Sequence, residues 1–116
     1  MTGSATEGVK TVLFPVSDLA ASKPVYAALL GIQPQADADY YVGFDTAGQQ
    51  IGLVPGGAQA ETVPVAYWHV PDIEAKLAEV TAAGATVKQA PRQVGGGRQV
   101  ATFTDPDGNV LGLIQD

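Results

Sequence analysis

The chain has 116 residues, of which 46% are hydrophobic and 16% charged, and its formal net charge is −6. This length suits one compact domain or two half-size modules that share a core. No run of Lys and Arg is available to neutralise phosphates, and no apolar stretch approaches the roughly 18 residues of a membrane helix, so neither nucleic acid nor membrane is expected as a partner. The acidic balance favours a cationic ligand or simply keeps the protein soluble. Without cysteine, disulfides and thiolate metal sites are excluded, and the cytoplasm is the default location.

The first half of the chain reads as a strand, a helix and further strands. Residues 1–8 have neither the basic end nor the apolar stretch of a signal peptide and are expected to form a flexible tail. Alternating apolar residues then predict half-buried strands, and a loop composition rich in Gly and Pro marks the end of the module. Strands are expected at 9–16, 40–45 and 49–54, in a first module of residues 9–54 followed by a linker at 55–64.

A helix is predicted between Asp18 and Gly31. The aspartate can accept hydrogen bonds from the first free amides of a helix, and glycine can adopt the left-handed conformation that ends one. Pro24 falls inside this helix, where a proline costs about 3 kcal/mol. We therefore favour a short turn at 18–21 followed by a helix that Ser22 caps, over a kinked helix that Asp18 caps.

The second half of the chain repeats this order with clearer signals. Asp72 predicts the N-cap of a helix and Gly84 its end. The triplet Gly95-Gly96-Gly97 indicates the tip of a hairpin, because no helix follows it that could bind a phosphate. Strands are expected at 64–70, 85–91, 98–104 and 109–115, in a second module of residues 65–116.

The two halves are related by a near-constant shift. Asp72 follows Asp18 by 54 residues, and Gly112 follows Gly52 by 60. This indicates an internal repeat of one unit, which consists of a strand, a helix and three further strands. With its Asp-capped helices and the DPDGN turn at 105–109, the chain resembles the vicinal oxygen chelate superfamily of glyoxalases, bleomycin-resistance proteins and extradiol dioxygenases. The resemblance implies an α+β fold in which two βαβββ modules pair into a half-barrel cleft.

Metal-dependent members of that superfamily carry His or Glu ligands at four matching places, near the start of each module's first strand and on each module's last strand. The matching residues here are Thr11, Val65, Gly52 and Gly112. None of these side chains is a suitable metal ligand, and the whole chain has one histidine. The resemblance therefore implies a member that lacks the metal ligands, and no cofactor is expected.

Two interpretations of Gly52 and Gly112 remain open at this point. A glycine within a strand commonly marks a bend or the close approach of another group. Their matching placement in both modules equally suggests a cleft floor that has been cleared of side chains to accommodate a bulky molecule.

Side-chain alternation along the strands predicts which residues face the cleft. Trp68 then points to the helical layer, and one of the pair Tyr40 and Tyr41 joins the cleft wall. The predicted ligand-binding residues are Thr11, Leu13, Gln50, Gly52, Val54, Val65, Tyr67, His69, Arg98, Val100, Thr102, Val110, Gly112 and Ile114.

Three of these residues carry chemistry. His69 and Tyr67 are candidates for proton transfer, although a histidine at a strand end is as readily explained by a hydrogen bond to a backbone carbonyl. Arg98 could pair with a carboxylate or phosphate of a ligand, or it could be a solvated arginine at the rim.

The functional hypothesis is a metal-independent protein that sequesters an antibiotic or an aromatic or amphipathic metabolite in the cleft between the modules. The ligand is expected to be a small organic molecule, cationic or aromatic. The alternative is a metal-free lyase or isomerase that uses His69 as its acid or base, and a regulatory or structural module is a third hypothesis. The resemblance also implies a homodimer.

Overall fold

A computed structural model describes residues 6–55 and 62–116. Within these ranges the chain is α+β, with eight strands and two helices. It groups into two compact units, Lys10–Val65 and Ala66–Asp116, and the second unit also takes in residues 6–9. Each unit has the order strand, helix and three strands. The βαβββ repeat predicted from the sequence is therefore confirmed.

The first unit is a four-stranded sheet with one helix. Its strands lie in the order β2-β3-β4-β1; β1 and β4 are parallel, and the other neighbouring pairs are antiparallel. Val42, Phe44 and Leu53 are fully buried on the face that packs against the helix. The elements are β1 (Val9–Val16), α1 (Leu19–Leu30), β2 (Ala36–Ala38), β3 (Tyr41–Thr46) and β4 (Gln49–Pro55).

The second unit has the same plan. Its strands lie in the order β5-β8-β7-β6, with β5 and β8 parallel and the other neighbours antiparallel. Ile73, Leu77, Phe103 and Leu113 form the core between sheet and helix, and Trp68 packs against it as the alternation predicts. The elements are β5 (Val65–His69), α2 (Ile73–Ala82), β6 (Thr86–Gln93), β7 (Gln99–Thr104) and β8 (Val110–Gln115).

Both helices begin with the same aspartate cap. Asp18 and Asp72 have nearly identical extended backbones, with φ, ψ of −145°, 100° and −144°, 100°. Each carboxylate accepts a hydrogen bond from the amide three residues on, at 3.1 Å from Ala21 and 3.0 Å from Ala75. These bonds satisfy amides that have no carbonyl partner inside the helix.

The predicted helix start at Ser22 is wrong. Helix α1 begins at Leu19 and runs through Pro24 to Leu30. Proline removes the amide that would bond to the carbonyl of Ala20, but Ala20 is exposed, so water can replace the lost donor. The cap at Asp18 holds the first turn in place despite the proline.

The chain ahead of β1 is attached to the second unit. The amide of Glu7 donates to the carbonyl of His69 at 2.7 Å, and the amide of His69 donates to the carbonyl of Gly8 at 3.0 Å. Part of the stretch expected as a tail is thus hydrogen-bonded, while residues 56–61 of the expected linker lie outside the described ranges. Neither α1 nor α2 is long and apolar enough to cross a membrane.

Candidate functional site

The sheet of the second unit presents two rows of predicted site residues on the face turned away from α2. In the first row, Tyr67 on β5 lies opposite Gly112 on β8, which lies opposite Thr102 on β7. In the second row, His69 lies opposite Ile114, which lies opposite Val100. Paired residues on adjacent strands point to the same side of a sheet, so these six side-chain positions share one face.

Gly112 lies under the ring of Tyr67. A Cβ atom at Gly112 would stand 2.7 Å from Cγ of Tyr67 and 2.5 Å from its Cε2, well inside van der Waals contact. The ring therefore crosses from β5 over β8 in the direction of β7. Only glycine leaves room for it, and Tyr67 is 7% exposed.

The first unit has a related but different arrangement. Gly52 on β4 lies between Leu13 on β1 and Gly43 on β3. A Cβ atom at Gly52 would stand 2.6 Å from Cδ2 of Leu13 and 2.7 Å from Cε1 of Tyr41, whose ring also covers Gly43. Of the tyrosine pair, Tyr41 is thus the one that lies over the sheet, whereas Tyr40 is 77% exposed.

These contacts favour the close-approach interpretation of the two glycines. The space that the sequence suggested for a bulky ligand is filled in this structure by the rings of Tyr41 and Tyr67. Aromatic rings that lie across strand glycines also shield the sheet backbone from water, which stabilises the sheet.

An ion-pair cluster stands beyond the end of the second row. Arg98 binds Asp116 through two hydrogen bonds, from Nε to Oδ1 at 2.5 Å and from Nη2 to Oδ2 at 3.1 Å. The same Oδ2 lies 3.6 Å from Nδ1 of His69. The His69 side chain is only 9% exposed, and that of Asp116 is 59% exposed. The cluster thus links the one histidine of the chain to the solvent-facing carboxylate.

The charge state of Asp116 follows from these contacts. Hydrogen bonds from Arg98 lower the pKa of the Asp116 carboxyl below its ordinary value, and the positive charges of Arg98 and His69 act in the same direction, while partial desolvation opposes them. Asp116 is therefore an anion at neutral pH. Its Oδ2 lies 3.6 Å from Nδ1 of His69, a distance at which the negative charge favours a proton on that nitrogen.

Asp116 was not among the predicted site residues. It lies two residues after Ile114, so the alternation that selected Val110, Gly112 and Ile114 also selects it. Its partner Arg98 is positioned by the tip of the hairpin between β6 and β7. The amide of Val94 donates to the carbonyl of Arg98 at 3.0 Å, and the amide of Arg98 donates to the carbonyl of Gly95 at 3.0 Å.

The remaining predicted residues are arranged as follows. Thr11 donates a hydrogen bond to Gln50 at 3.1 Å, across the parallel pair β1 and β4. Thr102 is 3% exposed, and its hydroxyl oxygen has no hydrogen-bond partner among the described residues. The four valines differ in burial: Val65 is 2% exposed, and Val54, Val100 and Val110 are half-buried.

The residues at the four ligand places do not fit a metal. Thr11 is engaged with Gln50, Val65 is aliphatic, and the two glycines lie under aromatic rings. In residues 6–55 and 62–116, no three His, Cys, Asp or Glu residues are grouped closely enough to hold a metal ion. No step of a reaction is therefore assigned to a metal.

A separate cavity of about 380 Å³ lies in the first unit and contains none of the predicted site residues. Its wall includes Asp18, Asp39 and the ion pair of Lys23 with Asp37, in which Nζ and Oδ2 are 2.9 Å apart. Because Lys23 neutralises Asp37 and Asp18 caps α1, these two acids have structural roles.

Solved structures with this fold are numerous. A hypothetical protein from Bacillus halodurans C-125 has a TM-score of 0.80 at 14% identity, covering 97% of this chain and 96% of that one. Methylmalonyl-CoA epimerase from Mycobacterium tuberculosis has a TM-score of 0.74 at 16% identity, covering 99% and 91%. The Mn(II)-bound glyoxalase from Novosphingobium aromaticivorans has a TM-score of 0.74 at 23% identity, covering 97% of this chain and 40% of that one. At such low sequence identities, the structural similarity establishes the fold and nothing about function.

The sequence itself shows the family. No curated protein matches the chain. The model of one family matches residues 8–113, which is nearly the whole chain and spans both units. The chain belongs to the Glyoxalase/Bleomycin resistance protein/Dioxygenase superfamily.

Proposed function

We propose that this protein binds a small organic molecule without a metal and sequesters it, as an antibiotic-binding or metabolite-binding member of its superfamily. One observation carries the proposal: an aromatic ring lies on Gly52 and another on Gly112, the two last-strand positions that the resemblance matches to metal ligands. Such a surface offers stacking and apolar contact rather than coordination.

The chemistry around Tyr67 supports an aromatic or amphipathic ligand with a positive charge. Tyr67, Ile114 and Val100 supply an apolar surface on one face of the second unit. The chain carries a net charge of −6, which favours a positively charged ligand. Because Arg98 is already paired with Asp116, it is not proposed as the anchor of a ligand carboxylate.

The test is a thermal melt of the wild-type protein with divalent metals, with a chelator, and with a panel of antibiotics and aromatic metabolites. A ligand at about 100 times its Kd adds about 2.7 kcal/mol, which raises the Tm of a domain of this size by about ten degrees. We expect such a shift from an organic ligand and none from metals. A strong shift with a metal alone contradicts the proposal.

A matched pair of variants locates the site. His69→Ala should abolish the shift caused by the organic ligand, whereas Asp107→Asn, at an exposed turn, should leave it unchanged. Equal shifts in both variants would place the ligand elsewhere. The same samples, measured by light scattering, test the proposed homodimer.

The alternative function is a metal-free lyase or isomerase. Its specific support is the carboxylate of Asp116, which lies 3.6 Å from Nδ1 of His69, near the place that the orienting partner of a catalytic histidine occupies. The imidazole of His69 would then take or give the proton, with Tyr67 two residues before it on the same strand. The epimerase activity named for the Mycobacterium tuberculosis structure is compatible with this chemistry but comes from a protein that shares only the fold.

This alternative has a test that needs no substrate. The chain contains one histidine, so its ¹⁵N resonances are unambiguous. We expect neutral His69 to carry its proton on Nδ1 in the wild type and to shift toward the Nε2–H form in Asp116→Ala. A wild-type histidine with its proton on Nε2 removes the support for the proton-transfer role.

A further inference from the structure

The hydroxyl of Thr102 is the one described buried side-chain oxygen or nitrogen without a hydrogen-bond partner. Gln89, which lies opposite it on β6, does not bond to it. Leaving a buried hydroxyl unsatisfied is costly, and native proteins rarely tolerate it without a role. Valine has nearly the same shape and would avoid this cost. A hydroxyl at this position therefore indicates a partner beyond the described residues, such as a group of a ligand.

The surroundings of Thr102 show where that partner would lie. Thr102 is separated from Tyr67 only by Gly112, in one row across three strands. The Tyr67 ring fills the space above Gly112. If the ring turns away, it leaves a flat notch with a glycine floor and the Thr102 hydroxyl as its far wall. This region is called the Tyr67 notch below.

The first unit lacks the polar wall. There the residue opposite the last-strand glycine is Gly43, where the second unit has Thr102. Since both units place a ring over a glycine, sheet packing alone accounts for the glycine and the tyrosine but not for the threonine. The hydroxyl is specific to the second unit.

We propose that the Tyr67 notch is a binding subsite for an uncharged aromatic ring that carries a hydroxyl group, and that Tyr67 is its movable cover. This rests on the proposed function, which it deepens by naming the part of the ligand that enters. A ring fits because a ring of the same size fills the space now. The group is uncharged because Tyr67 and Thr102 are 7% and 3% exposed, and Thr102 offers one neutral hydroxyl.

The probes are p-cresol, which has the shape of the tyrosine side chain, and toluene, which lacks the hydroxyl. Their Kd values are measured by calorimetry on Tyr67→Gly, which opens the notch, and on Tyr67→Gly/Thr102→Val, which removes the polar wall. We expect the preference for p-cresol over toluene to be about tenfold greater in the single variant, as for one hydrogen bond. A preference that is equal in both variants overturns the proposal, as does a folded Tyr67→Gly that binds neither probe.

Tyr41→Gly is the matched control. It opens the corresponding space over Gly52 and Gly43, where no threonine stands opposite the glycine. This variant should bind both probes without the added preference for p-cresol. A preference as large as that of Tyr67→Gly would show that Thr102 is not its source.

A measurement on the wild type covers the case in which Tyr67→Gly does not fold. The chain has four tyrosines, so 3-fluorotyrosine labelling gives four ¹⁹F resonances that single Tyr→Phe changes assign. p-Cresol should shift or broaden the Tyr67 resonance and not that of Tyr41, and Thr102→Val should weaken the effect. An unchanged Tyr67 resonance at the solubility limit of p-cresol overturns the notch.

The outcomes separate this inference from the proposed function. A panel ligand that stabilises the wild type while the Tyr67 resonance stays unchanged keeps the proposed function and overturns the notch. Metal stabilisation without any organic ligand overturns the proposed function, and the calorimetry still decides whether the notch exists.

Discussion

The two units use the same two components, a glycine on the last strand and a tyrosine ring above it, but they join them differently. In the first unit the ring comes from β3, and its outer atoms, with the tip of Leu13, stand nearest to Gly52. In the second unit the ring comes from β5, and its inner atoms stand nearest to Gly112. A repeated backbone therefore does not dictate how the space above it is filled.

The largest expected effect separates the two rings. Tyr67→Ala should lower the free energy of unfolding by about 3–5 kcal/mol, because it leaves a cavity at a buried site. Tyr67 is 7% exposed, whereas Tyr41 is half-buried, so Tyr41→Ala should cost less. Urea denaturation of both variants measures the difference. Equal losses in the free energy of unfolding would mean that the two rings contribute equally to stability, which contradicts this prediction.

The glycines sharpen the same comparison. Gly112→Ala should cost about 1–3 kcal/mol, because the new methyl group meets Cγ of Tyr67, which cannot move without displacing the whole ring. Gly52→Ala should cost less, since it meets Cδ2 of Leu13 and the outer part of Tyr41, which can shift. In a Tyr67→Ala background the cost of Gly112→Ala should nearly vanish, and a double-mutant cycle that shows no coupling would contradict the contact.

The helix caps allow a third comparison. Asp72→Ala and Asp18→Ala should each remove about 1 kcal/mol of helix stability. Helix α2 buries Ile73 and Leu77, whereas α1 has no fully buried residue. Asp72→Ala should therefore lower global stability, while Asp18→Ala should chiefly increase hydrogen exchange within α1. Similar exchange profiles in both variants would show that the helices are equally coupled to their sheets.

The smallest expected effect concerns Asp116 and pH. Its pKa is lowered in the folded protein from an ordinary value of 3.8, so its contribution is present above that value and is lost as pH falls through the folded pKa. The carboxylate is largely exposed, and the contribution should stay below about 1 kcal/mol. Wild type and Asp116→Asn should therefore differ in Tm at pH 6 and converge as pH falls below 3.8 and through the lowered folded pKa. A constant difference would argue against the ion pair.

Local rules predicted most of the fold from the sequence. Capping predicted Asp72, and alternation predicted the inward position of Trp68 and seven of the eight described strands. The short strand β2 was not predicted, and Asp18 was the less favoured of two helix starts. Local rules failed at Pro24, where the general cost of proline is outweighed by a strong cap and an exposed carbonyl.

The site was less predictable for a physical reason. Alternation decides which face a side chain occupies, but not how far it reaches along that face. It placed Tyr67, Gly112 and Thr102 on one side, whereas the ring's position over the glycine depends on a rotamer that packing selects. The ion pair of Arg98 and Asp116 joins residues 18 apart through the hairpin between them, which no local rule anticipates.

Strand β5 gives the experimenter two independent reporters in adjacent positions. Trp68 is the only tryptophan and His69 the only histidine, and they point to opposite faces of the same sheet. Indole fluorescence therefore senses the packing of α2, while the imidazole proton resonances sense the cluster with Asp116. A perturbation that changes one signal but not the other can therefore be assigned to one side of the sheet without any label.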